Sequence, residues 1–451
     1  MFKTGFSGGL AAAGVVVFSL CGAPAWAQDV GRMEQVIRAS ADQGAFSGAV
    51  LVARDGEVLL DQGYGLANRE WAVPNDGETR FRLGSITKQF TAAAILLLSE
   101  RGAVDLDAPI RTYLTDAPAA WNGVTVRHLL THTSGVADLT RLADFNALKT
   151  QPATMDSLIA RFRDLPLTFQ PGQGWAYSNS NYVLATAVIE KASGQAYADF
   201  VAKNLFQPLG MADSGYDTHA AIVPHRASGY APGPEGVINA DYVDMSIPQG
   251  AGGLYSTTRD LLKWEQGLFG GRVLKAETLR QMTTPLRNHY AMGLSVAGAG
   301  EDAVISHSGA IDGFNTYMAY DVARHMTVIV LANLNGDAPD KLGGSLMTLA
   351  QGGAVTLADE RQATAMSVEA LKAYEGVYEI APTFSLTLAV TDGALTAQAT
   401  GQRPVPLAAE GADAFFIAAI DAQITFTRDA AGAIEGLVLH QGGQAIPARR
   451  K

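Results

Sequence analysis

Apolar and polar positions repeat with a changing period along the chain, and the changes mark out its elements. Residues 46–64 read as a β-hairpin: Phe46-Ser47-Gly48-Ala49-Val50-Leu51-Val52 and Val58-Leu59-Leu60 flank Asp55-Gly56, a dipeptide suited to a tight turn. Residues 85–101 then form an almost uniformly apolar helix (Ile86, Phe90, Ala92, Ala93, Ile95, Leu96, Leu97, Leu98) closed by Gly102. A helix apolar on nearly all sides belongs in the centre of a domain. Helices and Gly/Pro-punctuated loops fill about 105–285, where Thr257 and Asp260 ahead of Leu261-Leu262 read as a capping-box start. Strand character returns at 304–306, 315–320 and 326–331. Strands at both ends with helices between predict a mixed α/β domain over 28–355. Its antiparallel sheet is closed by the N- and C-terminal portions and flanked by helices, with a helical region inserted.

Around 354–366 the composition turns small and polar, so 356–368 reads as a linker. Beyond it the period drops to two: 385–390 turns at Asp392-Gly393 into 394–399, and 415–417, 424–426 and 434–439 follow. Short strands of this kind predict a small all-β barrel or sandwich over 369–451.

The first 27 residues follow neither period. Lys3, an apolar stretch over 10–20 and Ala25-Trp26-Ala27 read as an export signal cut after Ala27, which makes the protein periplasmic or secreted. The stretch is shorter than the roughly 20 apolar residues of a membrane-spanning helix; an uncleaved anchor is the rival reading. Cys21 is the only cysteine, and Leu20 before it is too large for a lipidation signal. Once the signal is removed no thiol remains, so disulfides, a cysteine nucleophile and cysteine-ligated zinc are excluded. With 451 residues, 48% hydrophobic and 17% charged, the chain has enough apolar material to fold. Its formal charge of -11 and lack of Lys/Arg runs argue against nucleic acid. The partner expected is a small-molecule or peptide substrate.

Three clusters carry candidate chemistry. Ser85 and Lys88, in Phe81-Arg82-Leu83-Gly84-Ser85-Ile86-Thr87-Lys88, lie three apart at a helix start and share a face. A serine hydroxyl needs a base to become a nucleophile. A lysine serves when burial depresses its pKa, and the helix N-terminus offers free N–H groups to an oxyanion. The bland alternative is a cap beside a solvated lysine, but an exposed lysine is out of place on so apolar a helix. Tyr177 and Asn179, in Trp175-Ala176-Tyr177-Ser178-Asn179, supply a phenol that sheds its proton beside a lysine cation and an amide that orients substrate. The same composition also suits a plain turn. His307-Ser308-Gly309-Ala310 precedes the turn Ile311-Asp312-Gly313-Phe314, where Gly309 gives a substrate backbone room to approach. His128 and His132 are spaced like zinc ligands, but no Glu follows His128, so His132 reads as structural. No cofactor or metal is implied. Trp175 and Tyr255 suit either a cleft lining or the core.

Taken in order, Ser85-x-x-Lys88, Tyr177-x-Asn179 and His307-x-Gly309 resemble the penicillin-recognising serine hydrolases. That superfamily includes class C β-lactamases, D-alanyl-D-alanine carboxypeptidases, D-aminopeptidases and esterases. Leu129-Leu130-Thr131-His132-Thr133-Ser134-Gly135 and Gly252-Gly253-Leu254-Tyr255-Ser256 are similar to stretches of its class C-like branch. The resemblance covers about 35–350 and implies a β-lactamase/transpeptidase-like fold; residues 370–451 resemble the lipocalin-like domain that follows in some relatives. It implies Ser85 as acyl-forming nucleophile, Lys88 as activating base and Tyr177 as proton relay. Asn179, His307, Ser308, Gly309 and Ala310 would bind substrate, with an oxyanion hole from the backbone N–H groups of Ser85 and Ala310. The β-lactamases normally carry lysine where His307 stands. A histidine titrating near neutrality fits better the relatives that cleave D-amino-acid peptides or small esters. A β-lactamase and a non-catalytic binding module are the rival readings. The β-domain would serve as an oligomerisation surface or as a roof over the cleft.

Overall fold

The computed structural model describes Met1 and residues 25–417, 422–441 and 444–451. Most of the expected export signal, Cys21 included, lies outside the described residues. The helices used below are α1 (Ala25–Asp42), α2 (Thr87–Glu100), α3 (Asn179–Ser193), α4 (Thr258–Phe269) and α5 (Ala338–Ala350).

The hairpin forms as β1 (Gly48–Arg54) and β2 (Glu57–Tyr64). Its turn residues Asp55 and Gly56 take φ of 51° and 81°, the left-handed pair that matches strand twist. β3 (Ser295–Ala297), β4 (Val304–Ile311), β5 (Phe314–Asp321) and β6 (Met326–Ala332) complete an antiparallel sheet ordered β3-β4-β5-β6-β1-β2. β1 lies directly on β6, with Gly48 opposite Ala332 and Arg54 opposite Met326, so the two ends of the domain close one sheet. Both central strands are buried on both faces, which is why they read as unbroken apolar runs. Ala49, Leu51, Ile329 and Leu331 face the inserted helices. Val50, Val52, Val328 and Val330 face Met33 and Ile37 of α1 and Leu342 and Leu346 of α5. Each such side chain contributes about 1.5–3 kcal/mol on leaving water.

α2 runs through the larger core, buried without a break from Thr87 to Leu96. Thr257 caps α4 by accepting from the Asp260 N–H at 3.1 Å. Asp260 does not complete the box; it accepts instead from the Asp213 N–H and the Ser214 hydroxyl, both at 2.8 Å.

The C-terminal part holds β7 (Gly376–Ala381), β8 (Phe384–Thr391), β9 (Ala394–Ala399), β10 (Val405–Pro406), β11 (Ala408–Gly411), β12 (Ala414–Ile417), β13 (Ala422–Arg428), β14 (Ile434–Gln441) and β15 (Gln444–Arg450). They form one sheet ordered β10-β9-β8-β7-β15-β14-β13-β12-β11. The two outermost strands are neighbours in sequence, joined at Leu407, so the sheet curls into a nearly closed barrel around Tyr378, Leu395, Phe415 and Ile424.

Candidate active site

Ser85 lies in the 3-10 turn Gly84–Ile86 that opens α2, with Lys88 just inside the helix. The turn requires a glycine. Gly84 has φ of 54°, and a Cβ there would sit 2.7 Å from the Ala310 nitrogen. This close approach presses the Ser85 turn against the end of β4, and Ser85 and Ala310 line one cavity. Gly309 meets the same segment: a Cβ on it would lie 2.0 Å from the Leu83 carbonyl oxygen. Its smallness accommodates the chain's own backbone, where the sequence suggested room for a substrate.

Lys88 is wholly buried. Its Nζ stands 3.0 Å from Ser85 Oγ, 2.9 Å from Asn179 Oδ1 and 2.8 Å from the Ala251 carbonyl oxygen. Burial lowers its pKa to about 7, although the Asp138 charge pulls the other way. The three partners offer different things. The Asn179 and Ala251 oxygens only accept, so they take two N–H groups of the amine. Ser85 alone has a proton to give, and the lone pair of the neutral amine is left facing it. Both acceptors are held in place. The Asn179 amide nitrogen lies 3.3 Å from Thr140 Oγ1 and 3.5 Å from Asp138 Oδ1, which fixes its oxygen toward Lys88. Gly250, next to Ala251, donates to Thr186 of α3 at 2.9 Å and accepts from Thr91 of α2 at 2.7 Å.

Tyr177 places its ring centre 4.8 Å from Lys88 Nζ. Burial raises its phenol well above the ordinary value, and the Ser85 hydroxyl only partly offsets this. The sequence leads one to expect a phenol that sheds its proton; burial instead favours the protonated tyrosine, beside an amine that is about half neutral at pH 7. Behind it sits His132, buried, with its ring centre 4.3 Å from that of Tyr177. Its Nδ1 accepts from the Ser178 N–H at 3.2 Å and so fixes the turn that leads into α3. Burial and then Lys88 push its pKa well below the usual value, so it is neutral. His128 caps a short helix, exchanging hydrogen bonds with Thr125 at 3.2 and 3.3 Å.

His307 departs from its expected behaviour. Its Nδ1 is 2.6 Å from the Ser308 carbonyl oxygen, which only accepts, so the proton sits on Nδ1. Nε2 then accepts from the Tyr290 hydroxyl at 2.9 Å. Burial, with Lys88 adding to it, pushes the pKa to about 4, so the ring does not titrate near neutrality. Nothing in the sequence signalled Tyr290, which lies in an irregular segment. Ser308 points away from the site: residues alternate across a strand, and its hydroxyl donates to Asp340 of α5. Tyr255 packs over Gly215 in a small separate sheet, and Trp175 lies beside His132 and Tyr290. Neither lines the cavity, which has a volume of about 330 Å³. Its lining comprises Ser85, Tyr177, Asn179 and Ala310 together with an apolar wall of Leu139, Phe145, Val183, Val243, Ile247 and Ile311.

The family model described as Beta-lactamase matches residues 33–351, and one described as a domain of unknown function (DUF3471) matches 360–448. The chain is 32% identical over 301 residues to the putative penicillin-binding protein PbpX of Bacillus subtilis (strain 168), covering 66% of this chain and 73% of that protein. It is 37% identical over 238 residues to esterase EstB of Burkholderia gladioli, covering 49% of this chain and 60% of that one. The solved structure of the octameric penicillin-binding protein homologue from Pyrococcus abyssi superposes with a TM-score of 0.67 at 26% identity, over 93% of this chain and 100% of that chain. A fold, a family match and a set of relatives that agree make this chain a member of the Beta-lactamase family, a serine hydrolase followed by an all-β barrel.

Proposed function

We propose that the chain is an exported hydrolase that cleaves an amide or ester through an acyl-enzyme on Ser85, with D-amino-acid peptides or small esters favoured. One observation carries this reading: the buried Lys88 Nζ is 3.0 Å from Ser85 Oγ while pure acceptors take its other two directions. Neutral Lys88 takes the Ser85 proton as Oγ attacks the carbonyl carbon. The backbone N–H groups of Ser85 and Ala310 hold the oxyanion. Tyr177 gives its proton to the departing amine or alkoxide and is reprotonated from the Lys88 ammonium. Water then attacks the acyl-serine by the same steps in reverse, releasing the acid. The base supplies about 10²–10⁴ in rate, and each oxyanion donor about 10²–10³. Export rests on the pattern of residues 1–27, and the D-amino-acid preference on the family resemblance. The octameric relative, aligned through the barrel, supports self-association, which light scattering on the full chain measures.

Treatment with a fluorophosphonate, read by intact mass, should add one adduct to the wild type and none to Ser85→Ala. Equal labelling of the two contradicts the assignment. A panel of a nitrophenyl ester, a D-alanine anilide, a D-alanyl-D-alanine peptide and a chromogenic cephalosporin then ranks the substrate classes by kcat/KM. A cephalosporin at the top would favour a β-lactamase.

A further inference from the structure

The cavity around Ser85 has a lopsided electrostatic character. Among the described residues, none that lines it is a lysine or an arginine, and most of its wall is aliphatic or aromatic. The cationic side chains around it are paired, or turned toward solvent. Lys149 stands 2.6 Å from the carboxylate of Asp312, which does line the cavity, and 3.4 Å from that of Asp241. That group of three carries a net negative charge. Arg141 is 79% exposed and faces Asp138 at 4.0 Å. Lys88 has all three hydrogen-bond directions filled. His307 has both ring nitrogens occupied, by Ser308 and Tyr290, and does not line the cavity. A substrate carboxylate in this cleft would lose its water against an apolar wall that presents no cationic side chain, with the Asp312 carboxylate in the lining and Asp138 behind Asn179. Burying an unpaired charge in that way is costly, and the cost acts as discrimination.

We propose that the cleft accepts an uncharged, apolar acyl group and rejects substrates that carry a carboxylate beside the scissile bond. This rests on Ser85 being the nucleophile and narrows the substrates proposed above: it selects small esters and blocked D-amino-acid amides over D-peptides with a free carboxylate next to the scissile bond. Val243 and Ile247 of the wall are the side chains that the acyl chain would cover, and Asp312 sets the sign of the charge that is refused.

The test uses two nitrophenyl esters of matched shape, the 4-methylpentanoate and the hemisuccinate, on the full chain. The uncharged ester should show kcat/KM at least about 100-fold higher. Val243→Lys places an amine in the wall and should narrow that ratio at least about tenfold. Fluorophosphonate labelling at Ser85 is measured in parallel. Intact labelling with equal kcat/KM for the two esters overturns the proposal while leaving the nucleophile in place. A labelled, folded Val243→Lys with an unchanged ratio counts against it as well. Absent labelling at Ser85 overturns the nucleophile assignment, and the proposal with it.

Discussion

At the scale of single residues, burial sets the protonation states and the protonation states set the chemistry. Lys88 has no carboxylate in contact, so desolvation outweighs the attraction of Asp138 and the amine is available near neutrality. An arginine at this position stays charged at any working pH. Lys88→Arg is therefore expected to lose about 10³-fold or more in kcat with the fold retained, measured by steady-state kinetics beside circular dichroism. Tyr177, held protonated, matters in proportion to how much the leaving group needs a proton. Tyr177→Phe should cost about 10²-fold or more on an anilide and far less on a nitrophenyl ester, whose leaving group departs as an anion. Equal losses on both would contradict the donor role. The Ser85–Lys88 pair was legible in the sequence because it is local: three residues of helix bring the two groups together. The proton positions were not. They depend on burial and on Tyr290, which meets His307 only when an irregular segment folds against β4.

At the scale of elements, the site is a joint between the start of α2, the start of α3 and the end of β4. The hairpin, α2 and the three C-terminal strands of the sheet were readable because each has its own period. What the period could not give was which face of β4 meets which neighbour. Ser308 was read as a substrate contact, yet its hydroxyl turns to Asp340 of α5. Gly309 was read as space for a ligand, yet Leu83 fills that space. The joint itself depends on Gly84. Gly84→Ala forces a side chain into a left-handed turn and toward the Ala310 backbone, which should pull the two proposed oxyanion donors apart. A loss of about 10²–10³ in kcat is expected, with the Ser85–Lys88 pair still present in sequence. Unaltered kcat would show that the approach of Ala310 to Ser85 has no part in the reaction.

At the scale of the whole molecule, the sheet that carries the site also buries a carboxyl group the chemistry does not use. Glu265 of α4 is nearly inaccessible and its Oε2 has no partner; burial raises its pKa well above the ordinary value, with Thr327 of β6 offsetting part of this. Because the folded value exceeds the unfolded one, the stability this group contributes is full below about pH 4.5 and declines as pH rises toward the folded value. Glu265→Gln cannot ionise, so its Tm should gain on the wild type as pH rises above about 4.5; a constant difference would contradict the buried neutral acid. The link to the barrel was visible only as a change of composition. In the structure Glu360 pairs with Arg32 of α1 while the adjacent Arg361 pairs with Glu410 of β11 at 2.9 Å, contacts between segments far apart in sequence that no local pattern encodes. The single-turnover rate of Ser85 phosphonylation by a neutral fluorophosphonate, in which Oγ displaces fluoride from phosphorus, followed from pH 5 to pH 10, bears most directly on the neutral-amine mechanism. It should rise about tenfold per pH unit and level off above an apparent pKa near 7; a rate that climbs without a plateau to pH 10, or that ignores pH, would contradict it.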